Sequence, residues 1–148
     1  LPFIMTKQLQ EETNSNSDEQ MGFQKERVLV VEDNDINLEI VQTILESWNL
    51  VVDSAENGLE AVERFKNSEL GWYRLVLMDI RMPVMDGMTA TKEIRALKRA
   101  DARVVPIVAL TANAFQEDSQ YAESIGMNEY LTKPIEMELL YQKLKEFI

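Results

Sequence analysis

From Arg27 onward, short apolar runs alternate with amphipathic stretches. RVLVV (27–31) and RLVLM (74–78) carry unbroken apolar stretches, the pattern of strands covered on both faces in a parallel sheet. LVVDSA (50–55) and VVPIVALT (104–111) fit the same role, and EYL (129–131) is a shorter fifth. Pro106 stands early in its run, where a missing N–H does least harm. Between the runs, apolar residues recur at helical spacing. Ile36, Ile40, Val41, Ile44, Leu45 and Trp48 mark one helix, and Leu59, Val62 and Phe65 a second. Ile94 and Leu97 suggest a third, Phe115, Ala122 and Ile125 a fourth, and Ile135, Leu139, Leu140, Leu144 and Phe147 a fifth. Strict alternation predicts an α/β fold, a doubly wound five-stranded parallel sheet flanked by five helices with right-handed crossovers.

The segment before Arg27 has no such period. TKQLQEETNSNSDEQMGFQ is rich in Gln, Glu, Asn and Ser, so residues 1–25 read as a polar linker and 26–148 as the folded domain. A chain of 148 residues can bury roughly 70% of its unfolded surface in one core. The formal net charge of −11 argues against nucleic acid and against direct contact with an anionic membrane. The chain has no cysteine, hence no disulfide framework, which fits a cytoplasmic setting. Without histidine, no imidazole mechanism can come from within the chain. LPFIM is too short for a signal peptide, and a start at Leu1 rather than Met reads as an excerpt of something longer.

In an open α/β sheet, functional residues gather past the carboxyl ends of the strands. Here the first strand ends in VVEDND with Glu32 and Asp33, the third at Asp79, the fourth at Thr111 and the fifth in YLTKP with Lys133. Three carboxylates, a hydroxyl and an ammonium should therefore converge at one edge. Crowded carboxylates repel and invite a cation, and oxygen donors alone suit Mg²⁺ or Mn²⁺. With the metal and Lys133 to neutralise equatorial oxygens and Thr111 to donate, such a site suits a phosphoryl group, with an aspartate as nucleophile. Each residue also has a plainer reading. Glu32 and Asp33 could cap a helix, Asp79 could open a turn, Thr111 could be an N-cap, Lys133 a solvated loop lysine and Tyr130 packing. Met82, Met85 and Met88 read as core and loop fillers. The plainer readings leave unexplained why all five polar groups fall at the same end of the strands.

VLVVEDNDINLEI, LVLMDIRMPVMDG, PIVALTA and YLTKPI, in this order, resemble the receiver domain of two-component response regulators over roughly Lys25 to Ile148. The resemblance implies a flavodoxin-like sheet in order 2-1-3-4-5. It makes Asp79 the phosphoacceptor, and Glu32, Asp33, Asp79 and the backbone carbonyl of Arg81 the metal ligands. It casts Thr111 and Lys133 as catalytic helpers and Thr111 and Tyr130 as the switch, while Arg81 and Asn113 tune phosphoryl lifetime. It also implies a cis Lys133-Pro134 bond that turns Lys133 toward the phosphate. On phosphorylation, Tyr130 should fill space vacated by Thr111 and repack the fourth helix.

VEDNDINLEIVQTILE is similar to receivers fused to sensor histidine kinases, and LPF resembles the tail of a kinase ATP-binding domain. The expected context is the C-terminal receiver of a cytoplasmic or membrane-anchored hybrid histidine kinase. Its partner would be a histidine phosphotransfer domain or the kinase core. A stand-alone or effector-linked regulator is the runner-up. A haloacid dehalogenase-type phosphatase would place a second Asp where this chain has Arg81. A flavodoxin-like FMN site would need a Ser/Thr/Gly-rich phosphate loop after the first strand, and a dinucleotide site needs G-x-G-x-x-G; neither motif is present.

Overall fold

The computed structural model describes residues 22–112 and 119–148. The polar segment up to residue 21, together with Asn113, Ala114 and Phe115, lies outside the described residues. In chain order the elements are β1 (Arg27–Val31), α1 (Asp35–Ser47), β2 (Val51–Ala55), α2 (Gly58–Asn67), β3 (Leu75–Asp79) and α3 (Gly87–Arg95). Then come α4 (Ala100–Val104), β4 (Ile107–Thr111), α5 (Ser119–Ser124), β5 (Glu129–Thr132) and α6 (Met137–Phe147). The strands pair in parallel in the order β2-β1-β3-β4-β5.

The unbroken runs go to the interior strands. Every residue of β3 and β4 is buried, as is all of β1 after Arg27, whereas the edge strand β2 is only half-buried. Successive side chains point to opposite faces, so each run feeds two cores. Leu29, Val31, Val76, Met78, Ile107 and Ala109 meet α2 and α3 through Phe65 and Ile94. Val28, Val30, Leu75, Leu77, Val108 and Leu110 meet α1 and α6 through Leu45, Leu140 and Leu144. Each large side chain so buried contributes roughly 1.5–3 kcal/mol.

Among the described residues, three helices start on side-chain caps. Asn34, Asn57 and Asp86 accept hydrogen bonds from the backbone N–H of Asn37 (2.9 Å), Glu60 (2.8 Å) and Thr89 (2.7 Å). The cap of α1 is thus Asn34, and the plainer reading of Glu32 and Asp33 as its caps falls away.

The structure corrects the sequence reading at three points. Six helices are present among the described residues rather than five, because the single turn α4 intervenes before β4. Five residues with only Ala102 buried are too few to show a period, and α4 takes in Val104, which was expected to start the fourth strand. Val104 is 74% exposed, and β4 begins only after Pro106, whose ring cannot donate to a ladder. Finally, Phe23 lies within the expected linker yet is 5% exposed, with its ring edge-on to Tyr141 at 5.6 Å. Its N–H donates to the Trp48 carbonyl (3.1 Å), and Asn49 Nδ2 donates back to the Phe23 carbonyl (2.7 Å). Packed structure therefore extends upstream of residue 25.

Candidate functional site

The carboxyl edge of the sheet collects the groups that the strand ends supply. Glu32 follows β1, Asp79 closes β3, Thr111 closes β4 and Lys133 follows β5. Glu32, Asp33 and Asp79 each present a carboxylate oxygen within 4.8 Å of the others. Lys133 Nζ lies 3.0 Å from Glu32 Oε1 and 3.2 Å from Asp79 Oδ2. Glu32 (2% exposed) and Asp79 (5%) are buried while Asp33 is exposed, so the cluster opens to solvent on one side. Asp79 Oδ1 sits 3.4 Å from the Arg81 backbone N–H, and Glu32 Oε2 accepts from the Asn34 N–H at 3.2 Å.

Thr111 is 2% exposed and lies one residue past Leu110, the register partner of Asp79. Its carbonyl accepts from the Lys133 N–H at 2.7 Å, which ties the end of β5 to the end of β4. The Lys133-Pro134 peptide is cis, as the resemblance implied. Tyr130 pairs with Ala109, is half-buried and packs on the α2–α3 side of the sheet. Of the expected residues, Asn113 lies outside the described part.

Burial and the neighbouring Glu32 charge, partly opposed by Lys133, lift the Asp79 carboxyl from its ordinary 3.8 to about 6. Burial alone would lower Lys133, but its hydrogen bond to Glu32 and the charges of Asp79 and Glu32 prevail and hold the ammonium above its ordinary range. At neutral pH the edge therefore holds an ionised, partly desolvated aspartate against a fixed cation. Oxygen donors with one open side fit a hard divalent ion, with no thiolate or imidazole to favour a softer one.

Two features escaped the sequence reading. Val84, in the β3–α3 loop, has φ of 70°, and the Met85 N–H donates to the Pro83 carbonyl at 2.7 Å. Together these make a γ-turn with positive φ at its centre, the rarer and strained of the two kinds, on a β-branched residue. Nothing in RMPVMDG announces it, because Gly or Asn would be the expected signal for such a φ. The second is an apolar groove of about 390 Å³ beside the acidic cluster, where Ile40, Ile44 and Ile135 meet Glu32 and Lys133. Ile36 (69% exposed) and Ile40 (53%) face outward, while Val41 and Leu45 fill the core. The signal lies in the sequence: Ile36 and Ile40 recur at the same helical spacing as the core residues Val41 and Leu45, so the apolar face of α1 is wider than one buried stripe requires.

The profile of the response regulator receiver domain matches residues 28–145. Hybrid signal transduction histidine kinase B of Dictyostelium discoideum is 41% identical over 133 residues, covering 83% of this chain and 7% of that protein. The chain spans only 5–27% of the length of eight curated relatives, hybrid kinases and response regulators among them. Among solved structures, the receiver domain of sensor histidine kinase PA1611 from Pseudomonas aeruginosa PAO1, with magnesium in its active-site cleft, is 39% identical (TM-score 0.75, covering 83% of this chain and 97% of that one). A co-crystal of the Saccharomyces cerevisiae histidine phosphotransfer protein Ypd1 with the receiver domain of Ssk1 gives 37% identity (TM-score 0.73, covering 84% and 90%). With the sheet order and the acidic edge already in place, the chain belongs to the response regulator receiver domain family.

Proposed function

We propose that Asp79 accepts a phosphoryl group from a phosphohistidine on a partner protein, as one step of a phosphorelay. The observation that carries this reading is the convergence of Asp79 with Glu32, Asp33 and Lys133 within hydrogen-bonding and metal-bridging reach. Glu32, Asp33, Asp79 and the Arg81 carbonyl would hold Mg²⁺, or Mn²⁺ in its place. When bound, the metal supplies positive charge for the carboxylates and for the phosphoryl oxygens. Asp79, ionised at neutral pH, attacks phosphorus; the P–N bond breaks as a P–O bond forms, and the imidazole leaves with the electron pair and takes up a proton. Lys133, already 3.2 Å from Asp79 Oδ2, neutralises charge on the group transferred. The Thr111 hydroxyl donates a hydrogen bond to it.

The donor is a protein, either a histidine phosphotransfer domain or a kinase core. Support comes from the exposed apolar side chains Ile36 and Ile40 beside the site, which offer a contact that a small-molecule donor would not need. The co-crystal of Ypd1 with the Ssk1 receiver domain shows such a pairing for a similar domain. The hybrid kinases among the relatives favour a parent chain of that kind.

Metal binding gives the first test. Millimolar Mg²⁺ should raise the melting temperature at pH 7.5, since a ligand bound only by the folded state stabilises it. The gain should shrink as pH falls through about 6, where a proton on Asp79 competes with the metal. A melting temperature indifferent to Mg²⁺ at pH 7.5 would count against the site.

The same proposal carries a switch. Once Thr111 moves to meet the phosphoryl group, Tyr130 on the adjacent strand β5 rotates inward and the face around α5 repacks. Amide spectra of the free and beryllofluoride-bound forms should show shifts at Thr111, Tyr130 and α5. Shifts confined to the Asp79 loop would contradict it.

A further inference from the structure

The loop Arg81–Asp86 carries one of the proposed metal ligands, and something must hold its strained turn in place. Strained backbone persists only where the surroundings over-determine it. At one end the Gly87 N–H donates to the Ile80 carbonyl (2.8 Å), and a Cβ on Gly87 would overlap the Asp79 carbonyl oxygen. At the turn itself the hold comes from outside the loop. Gly58, buried as the first residue of α2, donates its N–H to the Met85 carbonyl at 2.9 Å. The first N–H groups of a helix have no partner within it, so this donor is available for the loop. Approach this close requires glycine. A Cβ at position 58 would lie 2.5 Å from the Met85 oxygen, 2.8 Å from the Asp86 oxygen and 2.9 Å from Ala90 Cβ. The start of α2 is itself fixed: Asn57 caps the Glu60 N–H (2.8 Å), and Glu60 Oε1 accepts from the Glu56 N–H (2.7 Å). Through this contact a rigid helix end reaches the residue next to Val84, whose side chain is 76% exposed and anchors nothing.

We propose that Gly58 is a positioning residue for the phosphoryl-accepting site: by clasping the Met85 carbonyl it holds the strained Val84 turn, and with it the Arg81 end of the loop, in the geometry that the metal requires. This rests on the reading of the site given above. A methyl group at position 58 pushes Met85 away, the turn relaxes, and the Arg81 carbonyl leaves its place without any ligand side chain being altered.

The test compares Gly58→Ala with Val62→Ala, a destabilising change one turn further along the same helix and outside the atoms that a Cβ at position 58 would meet, using wild type as reference. Titration with Mg²⁺ alone should show affinity falling about tenfold or more in Gly58→Ala, as when a supporting contact behind a ligand is lost, and staying within about twofold in Val62→Ala. Metal-free amide spectra of Gly58→Ala should shift at Arg81–Asp86, and phosphorylation by acetyl phosphate should slow in step with affinity. Equal Mg²⁺ affinity in the two variants would overturn the proposal while leaving the site's reading intact. A wild-type chain that binds no Mg²⁺ would remove the reading, and this inference with it. If Gly58→Ala does not fold, hydrogen exchange at the Gly58 amide of wild type decides. Exchange slowed about fivefold or more by Mg²⁺ supports the clasp, and exchange unchanged by Mg²⁺ overturns it.

Discussion

Replacing Asp79 by asparagine should make the metal-free domain more stable at neutral pH. The carboxyl is raised in the folded state, to about 6 from 3.8, by burial and by the Glu32 charge. A raised folded pKa means that the contribution is fully present below the ordinary pKa and is lost as pH climbs through about 6. At pH 7.5 the folded protein therefore bears the cost of an ionised, crowded Asp79. Two units of displacement set an upper bound of about 3 kcal/mol, and the open side toward Asp33 lowers the expected gain to roughly 1–2 kcal/mol. Asparagine is nearly isosteric and uncharged, so urea melts should show Asp79→Asn more stable at pH 7.5 and level with wild type near pH 4. The Mg²⁺-dependent rise in stability should fall at the same time, because one carboxylate is gone. A loss of stability at pH 7.5, or a difference independent of pH, would contradict this picture of the site. A residue that destabilises its own fold is the pattern expected where function outweighs stability.

Removing the cation should do the opposite. Lys133→Met leaves Glu32 and Asp79, 2% and 5% exposed, facing each other without the ammonium now within 3.2 Å of both. Breaking a buried pair by deleting one partner costs about 3–5 kcal/mol. Because the Lys133 side chain is 22% exposed, roughly 2–3 kcal/mol is expected here at pH 7.5. The loss should be partly recovered in two independent ways. Near pH 5 one of the carboxylates takes up a proton and the repulsion is relieved. At pH 7.5 millimolar Mg²⁺ supplies the missing charge. Melting curves over pH 4.5–8, with and without Mg²⁺, read out both. An equal deficit under every condition would mean that Lys133 matters for packing rather than for charge.

Much of this is legible in the amino-acid sequence alone. The buried strands declared themselves as unbroken apolar runs because both faces of β1, β3 and β4 are covered. The rule that ligands gather at the carboxyl ends of such strands then placed Glu32, Asp79, Thr111 and Lys133 at one edge. Periodicity alone did not give the strand order; that came from the resemblance. What stayed hidden is what depends on tertiary contact. Phe23 looks like one apolar residue in a polar segment until Trp48, Asn49 and Tyr141 are brought to it. α4 is too short to have a period. The Val84 turn follows no local preference and exists because Gly58 and Gly87 hold the loop from both sides. On α1 the outward Ile36 and Ile40 share one helical period with the core residues Val41 and Leu45. Only burial separates a core row from a docking row.

The most direct measurement is the location of the phosphoryl group. The chain, incubated with acetyl phosphate or with a phosphorylated histidine phosphotransfer protein, would be reduced with borohydride, digested and mapped by mass spectrometry. One modified residue is expected, Asp79, only when Mg²⁺ is present, with none in Asp79→Asn. Modification at another carboxylate, or equal modification of Asp79 without a divalent metal, would contradict the assignment.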